Sequence, residues 1–91
     1  RPTPKKDVQA AQRKLSQHVF HPPEAVARGL EGEVRLIVKL AADGQIDDVL
    51  LAASSGHALL DNAAIRAAYA MGTLAGTSGR ELIVPVYFRL Q

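Results

Sequence analysis

The sequence contains no cysteine and no tryptophan, and aromatic residues make up only 4% of its 91 residues. The absence of cysteine excludes disulfide bonds and metal sites built from thiolates. No apolar run approaches the roughly 20 residues that a membrane-spanning helix needs, and no signal peptide is visible. A chain of this length holds one small domain with a single core.

Charge is also modest, because charged residues make up 22% of the chain and the formal net charge is +2. The hydrophobic content of 47% is typical of a globular domain and too high for a disordered chain. Most of the positive excess lies near the amino terminus, at Arg1, Lys5, Lys6, Arg13 and Lys14. Nucleic acid is therefore not expected as a partner, since phosphate binding needs a clustered basic face and stacking aromatics.

The first 20 residues divide into two parts. Residues 1–6 combine two prolines with three cations and are interpreted as the end of a proline-rich linker. The chain begins with Arg1 and not with Met, which fits a processed or excised fragment. Residues 7–20 predict a helix over Asp7–His18 and a connection. Its apolar stripe of Val8, Ala11 and Leu15 is thin, so loose docking is expected.

The domain proper is assigned to residues 21–91 and begins with a short helix over Pro22–Arg28. Glu33–Ala41 alternates apolar and polar residues and predicts a half-buried strand. Asp43-Gly44 predicts a tight hairpin turn, after which Ile46–Ala53 returns antiparallel. Ile46 breaks parity with Val49 and Leu51, so a bulge is expected near Asp47-Asp48.

A third helix is predicted over about His57–Met71, followed by a connection containing Gly72, Gly76 and Gly79. The buried stripe expected on this helix consists of Leu60, Ala64, Ala67, Ala68 and Met71. A last strand is predicted over Glu81–Leu90. Its inward residues would be Val84, Val86, Phe88 and Leu90, and its outward residues Ile83, Pro85, Tyr87 and Arg89.

These elements predict a two-layer α+β domain of order α-α-β-β-α-β, a three-stranded antiparallel sheet with helices on one face. Three strands leave two edges. Pro85 cannot donate to a sheet ladder, so the last strand is expected at an edge.

Residues that could carry chemistry have simpler explanations. Ser55, His57 and Asp61 are the only nucleophile, base and acid types that lie close together, and they suit helix capping better than a hydrolase triad. No enzymatic activity is expected, and loss of a measurable esterase activity in His57→Ala would be needed to revive the hydrolase hypothesis. The pair His18 and His21 lacks further ligands for a metal.

Two other patterns lack features that a calcium site or a phosphate site needs. Asp43, Asp47 and Asp48 lack the Gly and terminal Glu of a calcium loop. Gly29 and Gly32 precede a strand instead of following one, so they do not form a phosphate loop. No metal or cofactor is expected. The remaining functional feature is an exposed strand edge of about ten residues, on the order of 30 Å long, that can accept another strand.

From His21 to Leu90 the order of motifs resembles the carboxy-terminal domain of TonB-type energy transducers. The matching pieces are Pro22, Ala25, Gly29-Leu30-Glu31-Gly32-Glu33-Val34, Asp43-Gly44, Val49, Leu51, Ser54-Ser55-Gly56, Leu60-Asp61, Ala63-Ala64 and Pro85-Val86-Tyr87-Phe88. The sequence departs from this family at two places. His21 stands where the family usually has Tyr, and Met71-Gly72-Thr73-Leu74 replaces its aromatic-x-Pro ending of the helix.

The resemblance implies a periplasmic domain that a proline-rich spacer joins to an inner-membrane helix absent from this fragment, working with an ExbB-ExbD proton-motive complex. It also implies that the last strand pairs with the TonB box of outer-membrane transporters for siderophores, haem or cobalamin. The residues expected to bind the partner are His18, Phe20, His21, Leu82, Ile83, Val84, Val86, Tyr87, Phe88 and Arg89. A TolA-like envelope-spanning domain is the alternative, although such domains usually carry a cysteine pair. The exposed edge also predicts weak self-pairing into homodimers at high concentration.

Overall fold

The computed structural model describes residues 5–74 and 81–90, with the side chains of residues 5–8 left out. The elements are α1 (Lys5–Ser16), α2 (Pro23–Ala27), β1 (Gly32–Leu40), β2 (Ile46–Ala53), α3 (Ala58–Met71) and β3 (Glu81–Phe88). Their order and type confirm the predicted α-α-β-β-α-β fold. Residues 1–4 of the predicted linker, the predicted Val8 packing, and Gly76 and Gly79 of the predicted connection lie outside what is described.

The three strands form one antiparallel sheet of order β2-β1-β3, which puts β1 at the centre and β3 at an edge. Alternation in β1 buries one face of the strand: Val34, Leu36, Val38 and Leu40 lie under the helices. In β3 the buried residues are Leu82, Val84, Val86 and Phe88. The helices thus cover one face of the sheet, as the sequence predicts.

The predicted bulge is present in β2. Lys39 pairs with Asp48, but Leu40 pairs with Ile46, so Asp47 is the additional residue. The bulge lets Ile46 and Val49 both pack against the core despite their broken parity. Leu51 is 43% exposed near the end of β2, and a second shift in register leaves Ala52 without a direct partner in β1.

The hairpin turn is longer than the tight turn predicted for Asp43-Gly44. Ala41 N–H donates to the Gln45 carbonyl at 2.9 Å, and Gly44 N–H donates to the Ala41 carbonyl at 2.9 Å. Only Gly44 has a positive φ, of 87°, while the Asp43 carboxylate accepts Gln45 N–H. A turn closed by a left-handed glycine suits a strand pair that begins with a bulge.

The first helix packs more firmly than its thin stripe predicts. Ala11 and Leu15 are each only 1% exposed, and Lys14 Nζ donates to the Thr73 carbonyl at 2.6 Å. Two buried side chains are enough because α1 packs against both β3 and α3. On α3 the buried set is the predicted one. No helix within residues 5–74 and 81–90 is long and apolar enough to cross a membrane.

Candidate partner-binding edge

Strand β3 has β1 on one side and no other strand beside it among the described residues. The side of β1 to which each N–H group points follows from the hairpin. Ala41 N–H donates to the Gln45 carbonyl and therefore points towards β2. In an antiparallel sheet, backbone groups alternate sides along a strand, so Leu36 and Val38 point their N–H groups towards β3. Val49 N–H, opposite Val38, donates to the side chains of Asp48 and Tyr69 and not to β1, which agrees with this assignment.

The same alternation fixes which residues of β3 face the open edge. Val84 pairs with Leu36 and Val86 with Val34, and these residues exchange hydrogen bonds with β1. The backbone groups of Ile83, Pro85 and Tyr87 therefore point away from the sheet. Pro85 has no N–H, so the centre of the open edge offers a carbonyl acceptor but no donor. Its position agrees with the edge location predicted from the sequence.

Side chains at the edge alternate in burial. Ile83 is 55% exposed and Tyr87 is 49% exposed. The Arg89 guanidinium lies 5.5 Å from the centre of the Tyr87 ring, within cation–π range. Leu82 and Val84 are fully buried and anchor the strand. The outward row is thus apolar with one cation at its carboxyl end.

A groove of about 290 Å³ lies along this edge, between β3 and the carboxyl end of α1. Its walls are Gln12, Leu15, Ser16, Val19, His21, Pro85, Val86, Tyr87, Phe88 and Arg89. A strand added to β3 would direct alternate side chains into this space. The sequence did not identify the α1 contribution, because only the packing of α1 brings residues 12–16 beside the last strand.

His21 lies in this groove with its ring packed edge-on against Phe88. The ring centroids are 5.4 Å apart, and the ring planes meet at 70°. Its Nε2 atom is buried without a hydrogen-bond partner. The predicted residue His21 is thus next to β3.

His18 and Phe20 line a different groove, of about 370 Å³, against the outer face of α3. The other walls of this α3 groove are Pro22, Leu59, Asn62, Ala63, Arg66, Ala67 and Ala70. The segment 18–22 separates the two grooves: its even-numbered residues line the α3 groove, and Val19 and His21 line the edge groove. The predicted contact residues therefore fall into two groups, and their role in binding stays a prediction.

Ser54, Ser55 and Asp61 form a hydrogen-bond network that joins the segment before α3 to the first turn of the helix. The Asp61 carboxylate accepts Ser55 N–H at 2.9 Å and hydroxyl donors from both serines, and Ser55 Oγ accepts His57 N–H. Burial raises the pKa of Asp61, but the bonds from Ser54 and Ser55 and the charge of nearby His57 outweigh it and lower the pKa overall. Both serine hydroxyls bond to the carboxylate and not to a histidine base, so they do not form a catalytic triad. The N-cap residue His57 makes no side-chain cap bond, so the network is also not the helix cap that the sequence predicts.

Metal ligation finds no support in the described ranges, where no three His, Cys, Asp or Glu side chains come close enough to hold an ion. The arrangement of the site is that of an interaction surface: an unbulged edge strand, outward apolar side chains and a groove beside it. These features place the molecule in the class of α+β domains with an open sheet edge.

The chain belongs to the family described as Gram-negative bacterial TonB protein C-terminal, which matches residues 17–90. This is a family of protein-interaction domains and not a family of enzymes. No curated protein matches the chain.

Solved structures with the same fold include the TonB C-terminal domain of Helicobacter pylori, residues 179–285. It is 24% identical with a TM-score of 0.85, over 98% of this chain and 85% of that one. The Pseudomonas aeruginosa TonB C-terminal domain is 27% identical with a TM-score of 0.61, over 79% of this chain and 78% of that one. TolAIII bound to a peptide derived from the N-terminus of TolB is 18% identical with a TM-score of 0.77, over 100% of this chain and 79% of that one.

Proposed function

We propose that this domain is the partner-binding end of a TonB-type energy transducer and that it binds the TonB box of outer-membrane transporters by strand addition to β3. The observation that carries the proposal is the unbroken register of β3 with β1 from Glu81 to Phe88, with no second strand beside β3 among the described residues. An extended segment that adds there gains main-chain hydrogen bonds without rearranging the sheet.

Membership of the TonB C-terminal family supports this role, because domains of that family interact with outer-membrane receptors. A second support is the structural likeness to TolAIII, which was solved with a peptide from the N-terminus of another protein. Binding of a terminal peptide is therefore compatible with this fold.

Main-chain hydrogen bonds depend little on side-chain identity, so one edge can serve several transporters with modest affinity. In the proposed cycle the domain lies in the periplasm, tethered by an inner-membrane helix, and ExbB-ExbD supplies force from the proton-motive gradient. The cargo would be a siderophore, haem or cobalamin. The domain itself catalyses no reaction and serves as a mechanical link.

The predicted site residues take different parts in this binding mode. The outward residues Ile83, Tyr87 and Arg89 contact the guest strand directly. Buried residues keep β3 in register with β1: Leu82, Val84, Val86 and Phe88. His21 forms part of the edge groove beside Phe88, while His18 and Phe20 would contact a part of the partner outside the added strand.

A TolA-like envelope-spanning role is the alternative, and the fold match to TolAIII over the whole chain favours it. The chain has no cysteine, whereas TolA-like domains usually carry a pair. Pull-down from an outer-membrane extract separates the two roles, because a TonB-type domain captures transporters and a TolA-like domain captures other envelope proteins.

The direct test is titration of a TonB-box peptide into isotope-labelled domain. The amides of residues 82–90 should shift most. Hydrogen exchange at Ile83 and Tyr87 should slow on binding, because their outward N–H groups gain partners. The amides of Val84 and Val86 serve as internal controls, since they already bond to β1.

A peptide of the same length with proline at alternate positions is the matched ligand control. It cannot donate along the ladder and should bind weakly or not at all. Shifts centred on the α3 groove, with residues 82–90 unmoved, would contradict the proposed site.

A further inference from the structure

The two outer edges of the sheet differ, and the chain itself covers the first half of the β2 edge. Ile46 N–H donates to the Gly72 carbonyl at 3.0 Å, and Leu74 N–H donates to the Gly44 carbonyl at 2.9 Å. Residues 72–74, directly after α3, thus run beside the start of β2 and form a bridge between Gln45 and Thr73. We call this short segment the β2 strap.

Tyr69 extends this cover to the middle of β2. Its hydroxyl accepts Val49 N–H at 3.1 Å and lies 3.1 Å from Asp48 Oδ1, to which it donates. Asp48 Oδ1 itself accepts Val49 N–H at 2.9 Å. Val49 N–H points away from β1, so Tyr69 and Asp48 occupy the donor that an added strand would use. Beyond this point, the register shift at Ala52 interrupts the edge.

The β3 edge has none of these features among the described residues. Its register with β1 is continuous over eight residue pairs, and the N–H groups of Ile83 and Tyr87 point away from β1. The edge groove lies beside the second half of the strand, at Pro85–Phe88. One sheet therefore has one edge with continuous register and one edge that its own chain covers from Gly44 to Val49 and that a register shift interrupts beyond it.

We infer that Tyr69, with Asp48 and the β2 strap, restricts strand addition to β3, so that the domain takes one extended polypeptide segment and self-pairs no further than a dimer. The stoichiometry part of this inference rests on the proposed function. Two open edges of unlike sequence would permit the β2 edge of one copy to add to the β3 edge of the next. Such a heterologous contact does not close on itself and leads to open chains.

Replacement of Tyr69 by Ala tests the inference. Sedimentation over a dilution series should give monomer and dimer for the natural chain and species larger than the dimer for Tyr69→Ala. Titration calorimetry with a TonB-box peptide should give one site for the natural chain and a stoichiometry rising towards two for the variant. Arg28→Ala is the control, because Arg28 is an exposed residue after α2 and lines neither groove.

A second variant keeps the ring and removes only the hydrogen bonds, in case Tyr69→Ala does not fold. In Tyr69→Phe/Asp48→Ala, Val49 N–H loses both side-chain partners. Its hydrogen exchange should accelerate about tenfold, as expected for loss of one hydrogen bond, while the Val84 amide stays unchanged.

The possible results distinguish the inference from the proposed function. A Tyr69→Ala chain that stops at the dimer and binds one peptide overturns the inference and leaves the proposed function standing. Larger species without any peptide binding support the edge closure and overturn the proposed function. An unchanged exchange rate of Val49 in the double variant also overturns the inference.

Discussion

The imidazole of His21 lies in the edge groove with a buried nitrogen that bonds to nothing in the described structure. A buried polar atom without a partner costs about 1–3 kcal/mol. The ring also makes a favourable edge contact with Phe88. His21 therefore stabilises the fold through its ring contact with Phe88 and destabilises it through its unpaired nitrogen.

Replacing His21 by Phe should raise the free energy of unfolding by about 1 kcal/mol, because the ring contact stays and the unpaired nitrogen disappears. Chemical denaturation with matched slopes measures this change. His21→Ala is the control and should destabilise the domain, since it removes the contact with Phe88 as well. Equal stability of the natural chain and His21→Phe would show that the nitrogen has a partner in solution.

Asp61 gives the domain a pH dependence at the acidic end. Its pKa in the folded state lies below the usual value, so its contribution to stability is present above the unfolded pKa of about 3.9. That contribution is lost as pH falls through the lower folded pKa, because the protonated carboxyl loses its charge and one of its acceptor sites.

Asp61→Asn should therefore destabilise the domain at neutral pH and much less at the acidic end of the range. Urea denaturation of both chains over a pH series gives the difference. Ser55→Ala should reduce the same difference, because it removes one donor to the carboxylate. A gap between Asp61→Asn and the natural chain that stays constant with pH would contradict the assignment.

At the scale of elements, the open edge of β3 is interrupted at its centre by Pro85. Ile83 and Tyr87, the donors on either side, are four residues apart, about 13 Å along the strand. A strand added in the proposed mode would therefore find N–H donors at these two residues, with only the Pro85 carbonyl as an acceptor between them. The missing donor at Pro85 limits the affinity that backbone pairing alone can give.

Pro85→Val should add the missing N–H and strengthen peptide binding about two- to tenfold, the effect of one further hydrogen bond. Calorimetric titration of a TonB-box peptide measures this change. Ile83→Val is the matched control, since it alters an outward side chain without adding a donor. Weaker binding by a correctly folded Pro85→Val chain would argue against pairing through this edge.

Periodicity predicted these elements because each buries one face against one layer. The alternation in β1 and the small-residue stripe of α3 are found as predicted, and broken parity at Ile46 located the bulge. The β2 strap was not predicted, since Gly72-Thr73-Leu74 has no strand pattern and its bonds join residues distant in sequence. The sequence did not predict that His18 and Phe20 lie in one groove and His21 in the other. Segment 18–22 is irregular, so the direction of its side chains depends on the elements packed around it and not on a periodic pattern.

At the scale of the whole molecule, the net charge is small. The formal net charge is +2, and the described part of the chain has three surface ion pairs, Arg28–Glu24, Arg35–Glu33 and Lys39–Glu81. Such pairs contribute little to stability and are screened by salt. We therefore expect long-range attraction to contribute little to the proposed peptide binding.

The affinity for a TonB-box peptide should accordingly change little between about 0.05 and 0.5 M salt, because main-chain hydrogen bonds carry most of the binding. Fluorescence anisotropy of a labelled peptide gives the dissociation constants. A steep loss of affinity with salt would indicate that Arg89 and neighbouring cations dominate the contact. Arg89→Gln distinguishes these cases, since it should flatten any salt dependence that remains.

Alternate residues of segment 18–22 line the α3 groove and the edge groove. This arrangement requires a fixed number of residues in the segment. Insertion or deletion of a single residue before His18 would exchange the two sets, turning Val19 and His21 towards α3 and Phe20 towards β3. Relatives of this chain should accordingly vary in residue type along this stretch while keeping its length constant.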